Sequence, residues 1–370
     1  MTLALCADAL ALARQSIGLS SPNPRVGCII TTAQGAVVGR GFTQQCGGPH
    51  AEVVAIEDAR AHGHDLHGAT ACVTLEPCSH HGRTGPCCDA LISAGIKKVV
   101  ASVADPNPLV AGQGFARLRA AGVEVQVGPG AAESRELNIG FFSRMIRKTP
   151  WVRLKVAASL DGKTALDNGV SQWITGEAAR ADGHAWRARA SAVLTGIGTV
   201  LEDNPRLDVR LVETPRQPHL VVVDSRLETP LDAHLFIACR NLYIYAAVRN
   251  DAKKAALEAR GATVTYLPGQ TPQTAAKVDL AAMLRDLAQR EVNELHVEAG
   301  FKLNGSLIRE GLVDEFLVYL APKLIGQGRG MANFGPLTEL TQAVPLEFQS
   351  SEMVGPDLRI LARIPGRDQF

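Results

Sequence analysis

Glu76-Pro77-Cys78-Ser79-His80-His81-Gly82-Arg83-Thr84-Gly85-Pro86-Cys87-Cys88, read with His50-Ala51-Glu52 upstream, decides the fold of the first half of this chain. The pattern predicts His50 at the start of a helix, Cys78 just beyond a strand that Pro77 ends, and Cys87 at the start of a second helix. One imidazole and two thiolates suit a catalytic zinc, which takes three protein ligands and keeps a fourth position for water. Zinc lowers the pKa of such a water to about 7. Helix N-termini favour anions, so thiolates placed there gain from the local dipoles. Glu52 follows His50 on the same helical turn. It can reach the water without being a ligand and carry its proton to a departing amine. Three alternatives stay open on the residues alone: a closed structural zinc site, in which Glu52 has no role; His80 or His81 as a ligand; and Cys88 in place of Cys87.

The cysteine distribution agrees with a metal. Cys6, Cys28, Cys46, Cys72, Cys78, Cys87 and Cys88 crowd into the first quarter, and Cys239 stands apart. Clustered Cys beside His in a long chain reads as metal binding, not as a disulfide framework. Cys6, Cys28, Cys46 and Cys72 read as buried small apolar residues.

With 370 residues, the chain is expected to form two domains. Hydrophobic residues make up 46% and charged residues 20%, enough for sizeable cores. The net charge of +1 gives no field for a polyanion, which argues against a nucleic-acid partner. Leu3, Leu10 and Leu12 among alanines read as an amphipathic helix. Asp8 and Arg14 interrupt the run, and no basic residue precedes it, so it is not read as a signal peptide. No apolar run approaches the roughly 18 residues of a membrane span, so the chain is read as cytoplasmic, with no membrane partner.

Strand signals in the first half fall at 26–30, 35–39, 71–75, 98–103 and 123–127, with helices at 50–61 and 87–94. Short buried strands alternating with helices predict an α/β sandwich with a mostly parallel sheet. Residues 133–148 read as one charged helical connector ended by Pro150. A second α/β alternation follows, with strands at 151–156, 191–194, 220–223, 242–245, 294–297 and 315–319. The boundaries are set at 1–146 and 150–370.

The first motifs match the zinc-deaminase signature H-x-E…P-C-x-x-C except in spacing, because residues 79–86 separate Cys78 from Cys87. With Ser21-Pro22-Asn23-Pro24-Arg25-Val26-Gly27 and Asp105-Pro106-Asn107-Pro108, they resemble the bifunctional riboflavin-biosynthesis deaminase-reductase family, in which the long insert is usual. The resemblance runs through nearly the whole chain. It implies a cytidine-deaminase-like three-layer sandwich followed by a dihydrofolate-reductase-like α/β domain. It implies zinc-dependent deamination of 2,5-diamino-6-ribosylamino-4(3H)-pyrimidinone 5′-phosphate, then reduction of the ribosyl group to ribityl with NADPH. His50, Cys78 and Cys87 then bind Zn2+ and Glu52 is the proton donor. Asn23 and Arg83 are candidate substrate contacts.

In the second half, Thr195-Gly196-Ile197-Gly198-Thr199-Val200-Leu201 is a partial dinucleotide fingerprint, and alone a weak one. The resemblance places Ala157, Trp173, Thr199, Asp203, Ser225 and the run Gly300-Phe301-Lys302-Leu303-Asn304-Gly305-Ser306 on cofactor positions. It places Ser171, Arg187, Leu207, Arg210 and Glu298 on substrate positions. Phe301 is a departure, since a small residue or proline is expected there. Lys155 and Asp161 lie in a shared segment, 154–162. A homodimer through the second domain and small phosphorylated pyrimidine substrates also follow from the resemblance. Two other readings compete: a zinc deaminase of another nucleoside or nucleic acid fused to an unrelated domain, and a zinc-stabilised binding module without chemistry.

Overall fold

The computed structural model describes residues 2–80, 85–108 and 110–370. The chain divides into two units, Met1–Lys148 with Phe370, and Thr149–Gln369.

The first unit runs α1 (Thr2–Arg14), β1 (Gly27–Thr31), β2 (Val37–Phe42), α2 (Ala51–Ala61), β3 (Thr70–Val73), α3 (Cys87–Ser93), β4 (Lys98–Ala101), α4 (Gln113–Ala120), β5 (Glu124–Val127), α5 (Ala131–Leu137) and α6 (Ile139–Arg147). Its sheet has the order β2-β1-β3-β4-β5. The sheet is mostly parallel in strand direction, as expected: β3, β4 and β5 pair in parallel, and β1 is antiparallel to both β2 and β3, so β2 points the same way as the other three. Gly35, at φ 88°, lies in the turn that folds β2 back on β1.

Glycines set the height of α2 above the sheet. A Cβ on Gly39 would lie 2.2 Å from the Ala55 carbonyl oxygen, and one on Gly41 2.2 Å from that of Ala51. Only glycine lets the helix lie this close to β2, and this fixes where its first residues stand. The 133–148 connector is corrected. It is two helices meeting at Asn138, and Leu137, Ile139, Phe141 and Phe142 are buried. Phe141 and Phe142 pack into the core of the first unit. Each such side chain contributes about 1.5–3 kcal/mol, so the segment belongs to that unit's core. Cys6, Cys28 and Cys72 are buried as expected, whereas Cys46, on the β2–α2 loop, is only half-buried.

The second unit runs β6 (Trp151–Ser159), β7 (Lys163–Leu166), α7 (Glu177–Arg189), β8 (Ala192–Gly196), α8 (Ile197–Asp203), β9 (His219–Val223), β10 (Leu242–Ala246), α9 (Asp251–Ala259), β11 (Ala262–Tyr266), α10 (Leu280–Gln289), β12 (Glu294–Val297), α11 (Phe301–Arg309), β13 (Glu315–Ala321), β14 (Gly328–Gly330), β15 (Glu347–Val354) and β16 (Asp357–Arg363). Nine strands form one sheet in the order β11-β10-β9-β8-β12-β6-β13-β16-β15, and β7 pairs with β14 apart from it. The strands from β11 to β13 run parallel, and β16 and β15 close the edge antiparallel.

Fully buried runs such as Leu242–Ala246 explain why the central strands read as continuous apolar stretches. The chain builds outward from β8 to β11, then returns to insert β12 beside β6. That reversal leaves a crevice outside the carboxyl ends of β6, β8 and β12, where open α/β sheets bind ligands. At the other ends of β6, β12 and β13 the side chains of Arg153, Glu294 and Glu315 are buried together. Arg153 pairs with both carboxylates, Arg189 with Glu294, and Arg363 with Glu315. Among the described residues, no helix is long and apolar enough to cross a membrane.

Candidate active sites

Three elements bring the first site together. His50 is the N-cap of α2, Cys78 lies in the loop after β3, and Cys87 opens α3. His50 Nδ1 lies 3.2 Å from Cys87 Sγ and 3.7 Å from Cys78 Sγ. The backbone N–H of Cys87 donates to Cys78 Sγ at 3.3 Å, so the start of α3 faces that sulfur. All three ligand atoms lie within 4.8 Å of one another. A tetrahedral zinc, with bonds of about 2.0–2.3 Å, would hold such atoms roughly 3.5–3.8 Å apart, so the set fits the ion.

The alternatives left open by the sequence now divide. Cys88 Sγ donates to the carbonyls of Pro77 at 3.2 Å and Gly114 at 3.5 Å, because the next residue on a helix points about 100° away. His80 is outside the cluster, and His81 and Arg83 lie outside the described residues.

Glu52 is 3% exposed, two residues after His50. Burial pushes its carboxyl up to about 7, with the negative Cys78 adding to the effect and His50 opposing it. A hydrogen bond with Cys87 draws the Cys78 thiol down to about 4 against burial, with His50 assisting. The same bond and burial push Cys87 up.

Behind the cysteines, the Glu76 carboxylate accepts the N–H groups of Asp105, Gly112 and Phe115 at 3.2, 2.9 and 3.2 Å. It thereby ties the Asp105-Pro106-Asn107-Pro108 loop to the end of β3. Burial raises the Asp105 carboxyl to about 7. Asn23 sits half-buried in the turn before β1, its N–H donating to the Ser20 carbonyl at 2.8 Å.

The second site is a cavity of about 520 Å³ at the crevice of the nine-stranded sheet. Of the residues expected to meet a cofactor, Ala157, Trp173, Thr199, Asp203, Gly300, Phe301 and Asn304 line it. So do all five expected substrate residues, Ser171, Arg187, Leu207, Arg210 and Glu298. Ser225, Lys302, Leu303, Gly305 and Ser306 do not. Residues 301–309 are helical, and a helix turns only every third or fourth residue to one side, so seven consecutive residues cannot share a cavity. Leu303 instead lies against Gly196, and Gly305 lies against the Asn333 backbone.

Arg187 is gripped on all sides. Nε and Nη2 donate to Glu298, the latter at 2.9 Å, and Nη1 donates to the Asp208 carbonyl at 2.9 Å. Burial would raise the Glu298 carboxyl, but Arg187, His296 and Lys155 together hold it well below the usual range. Lys155 Nζ lies 3.9 Å from Glu298, and burial draws that ammonium below its ordinary value. Arg206 and Arg210 flank Asp208 at 3.0 and 2.7 Å and stay half-exposed or more. The cavity also takes Thr164, Arg180, Arg206 and Arg329, which the sequence reading did not select. Arg206 stands in the same short run as Leu207 and Arg210, and that proximity was a usable signal. Arg329 arrives through the β7–β14 pairing, which leaves no local mark in the sequence.

Comparison with known proteins bears on both units. Residues 2–103 match the family described as the cytidine and deoxycytidylate deaminase zinc-binding region, and residues 150–360 match the RibD C-terminal domain. The riboflavin biosynthesis protein RibD of Escherichia coli K12 is 42% identical over 366 residues, covering 95% of this chain and 96% of its own. That of Aquifex aeolicus is 39% identical, covering 95% of each. The solved structure of Acinetobacter baumannii RibD superposes with a TM-score of 0.87 at 37% identity, covering 98% of both chains. The Thermotoga maritima structure, a diaminohydroxyphosphoribosylaminopyrimidine deaminase / 5-amino-6-(5-phosphoribosylamino)uracil reductase, gives 0.86 at 32%, again over 98% of both.

Proposed function

This chain belongs to the RibD family of riboflavin biosynthesis proteins, a bifunctional deaminase and reductase, and from that premise we propose which residues perform each step. The first unit deaminates the diamino-pyrimidine ribosyl phosphate, and the second reduces its ribosyl chain to ribityl with NADPH. His50, Cys78 and Cys87 would hold zinc. Bound zinc supplies the Lewis acid that makes a water acidic enough to attack near neutral pH. Glu52, buried beside the cluster and not part of it, would take the proton of a water so activated and hand it to the leaving amine. Helix α3, through the Cys87 N–H, and the Glu76-anchored loop keep this geometry rigid.

In the second unit a bound nicotinamide would supply the hydride. Ala157, Thr199, Asp203, Gly300, Phe301 and Asn304, which line the cavity, would hold it. Lys155 and Glu298 hold the sugar chain in line, and Arg210, with Arg187 behind it, meets the dianionic phosphate. The observation that carries this reading is the three-ligand cluster with the non-ligand Glu52 beside it.

We read the chain as a cytoplasmic homodimer joined through its second unit. In support, the outermost strand β15 exposes Phe348 at 76% and Met353 at 65%. The metal-binding thiolates suit a reducing compartment. The test is to give the zinc-loaded protein the diamino pyrimidine and NADPH. Ammonia release followed by NADPH oxidation is expected. Ammonia from cytidine, with no NADPH oxidation after either substrate, would overturn the reading. Sedimentation at micromolar concentration checks the dimer.

A further inference from the structure

The cavity owes much of its lining to residues 199–210, and the part that follows α8 is held in an unusual way. Asn204 and Leu207 both adopt left-handed backbone, φ 40° and 49°, which non-glycine residues avoid unless the surroundings enforce it. Side chains from elsewhere in the unit supply that enforcement. The His234 ring meets the Asn204 carbonyl at 3.1 Å, and the His234 N–H donates to Asn204 Oδ1 at 2.8 Å. Gln217 both accepts from the Val209 N–H, at 2.7 Å, and donates to its carbonyl, at 2.9 Å. His184 Nδ1 accepts the Arg210 N–H at 3.1 Å. Arg240 holds the middle of the loop. Its Nη1 donates to the Leu207 carbonyl at 2.6 Å, and its Nη2 to the carbonyls of Arg206 and of Leu235, the latter at 3.3 Å. Arg240 is 9% exposed and does not line the cavity.

We infer that Arg240 is a positioning residue of the reductase site, acting through the loop that presents Arg206 and Arg210 to the phosphate of the substrate. A buried guanidinium is costly to keep, and here its partners are backbone carbonyls. The fork of two nitrogens holds the Arg206 and Leu207 carbonyls together, in the stretch whose Pro205, Arg206, Leu207 and Arg210 line the cavity. Asp208 between the two arginines fixes their spacing. Arg206 thereby becomes a second cation beside Arg210 for a dianion. The inference rests on the reading that Arg210 meets the phosphate.

The experiment uses the full-length, zinc-loaded protein with Arg240→Gln, Arg240→Lys and Arg210→Ala. The deaminated pyrimidine substrate is titrated calorimetrically without cofactor, both intact and after phosphatase treatment, and KM and kcat are measured for the intact form. Arg240→Gln should weaken the intact compound about tenfold, through KM more than kcat, while the phosphate-free compound and NADPH change less than twofold. Arg240→Lys, which keeps the charge but not the fork, should fall between. Ammonia release, zinc content and the melting curve report folding. If Arg240→Gln does not fold, Arg240→Lys is read by the same criteria. Equal weakening of both compounds, or an unchanged intact compound in the folded variant while Arg210→Ala weakens it, overturns the role of Arg240. If Arg210→Ala leaves the intact compound unaffected, the phosphate reading falls and this inference with it.

Discussion

The two sites solve different problems with different amounts of protein. The metal cluster needs three side chains from the ends of three elements, plus one buried carboxylate. The cavity draws on β6, β7, α7, α8, the loop after it, α11 and the β14 segment, and its charges interlock so that Arg187, Glu298, Lys155, Asp208 and Arg210 share partners. A metal concentrates chemistry on a few atoms, whereas hydride transfer asks mainly for orientation, which many contacts supply in small parts. The first site should therefore fail outright when one residue changes, and the second should degrade in steps.

That contrast can be broken experimentally. Chelating the zinc, or replacing Cys87 with Ser, should abolish ammonia release while reduction of supplied deaminated substrate continues. Parallel loss of both activities would refute independent sites. Glu52→Gln should lower ammonia release by about 10²–10⁴-fold with zinc content unchanged, measured by ammonia assay beside metal analysis. Glu298→Gln removes the carboxylate that Arg187 grips, and should cut kcat/KM for reduction by roughly a hundredfold without touching deamination. Arg210→Ala removes one charge-assisted contact and should raise the reductase KM about tenfold, seen in steady-state NADPH oxidation.

The smallest effect is one of pH. Burial, aided by Arg187 and Arg210 and opposed by Glu298 and Asp208, draws His184 down to about 4. Its unfolded counterpart titrates near 6.5, so below that pH the unfolded chain binds the extra proton and stability falls as pH drops toward 4. The loss should reach roughly 1.4 kcal/mol by pH 5.5. Melting curves of His184→Gln should lose less over that range.

The same contrast governs what the sequence revealed. A metal site calls for particular residue types at element ends, so the grouping of His50, Cys78 and Cys87, which the fold does bring together, could be named before any coordinates. Strand β2 was placed too early, at 35–39. Its Gly39 and Gly41 weaken the strand pattern, yet both are needed for α2 to approach. In the cavity, the run 300–306 was taken whole because the resemblance carries no helical phase. β15 escaped notice because it is exposed along nearly its whole length and lacks the alternation that marks a half-buried strand. Arg329 depended on a pairing between segments far apart in the chain. The α5–α6 segment read as charged because its polar face dominates the composition, while Phe141 and Phe142 lie on the other.

The buried ions beneath the large sheet carry an evolutionary consequence. Arg153, Glu294, Glu315 and Arg363 set two cations against two anions where little water reaches, with Arg189 at the rim, so neutralising any one of the four strands a charge at a cost of about 3–5 kcal/mol. Drift at these four positions is therefore constrained to concerted exchange. A lineage could trade the whole set for apolar side chains with little penalty, but the single-residue routes to that exchange pass through poorly folded ancestors.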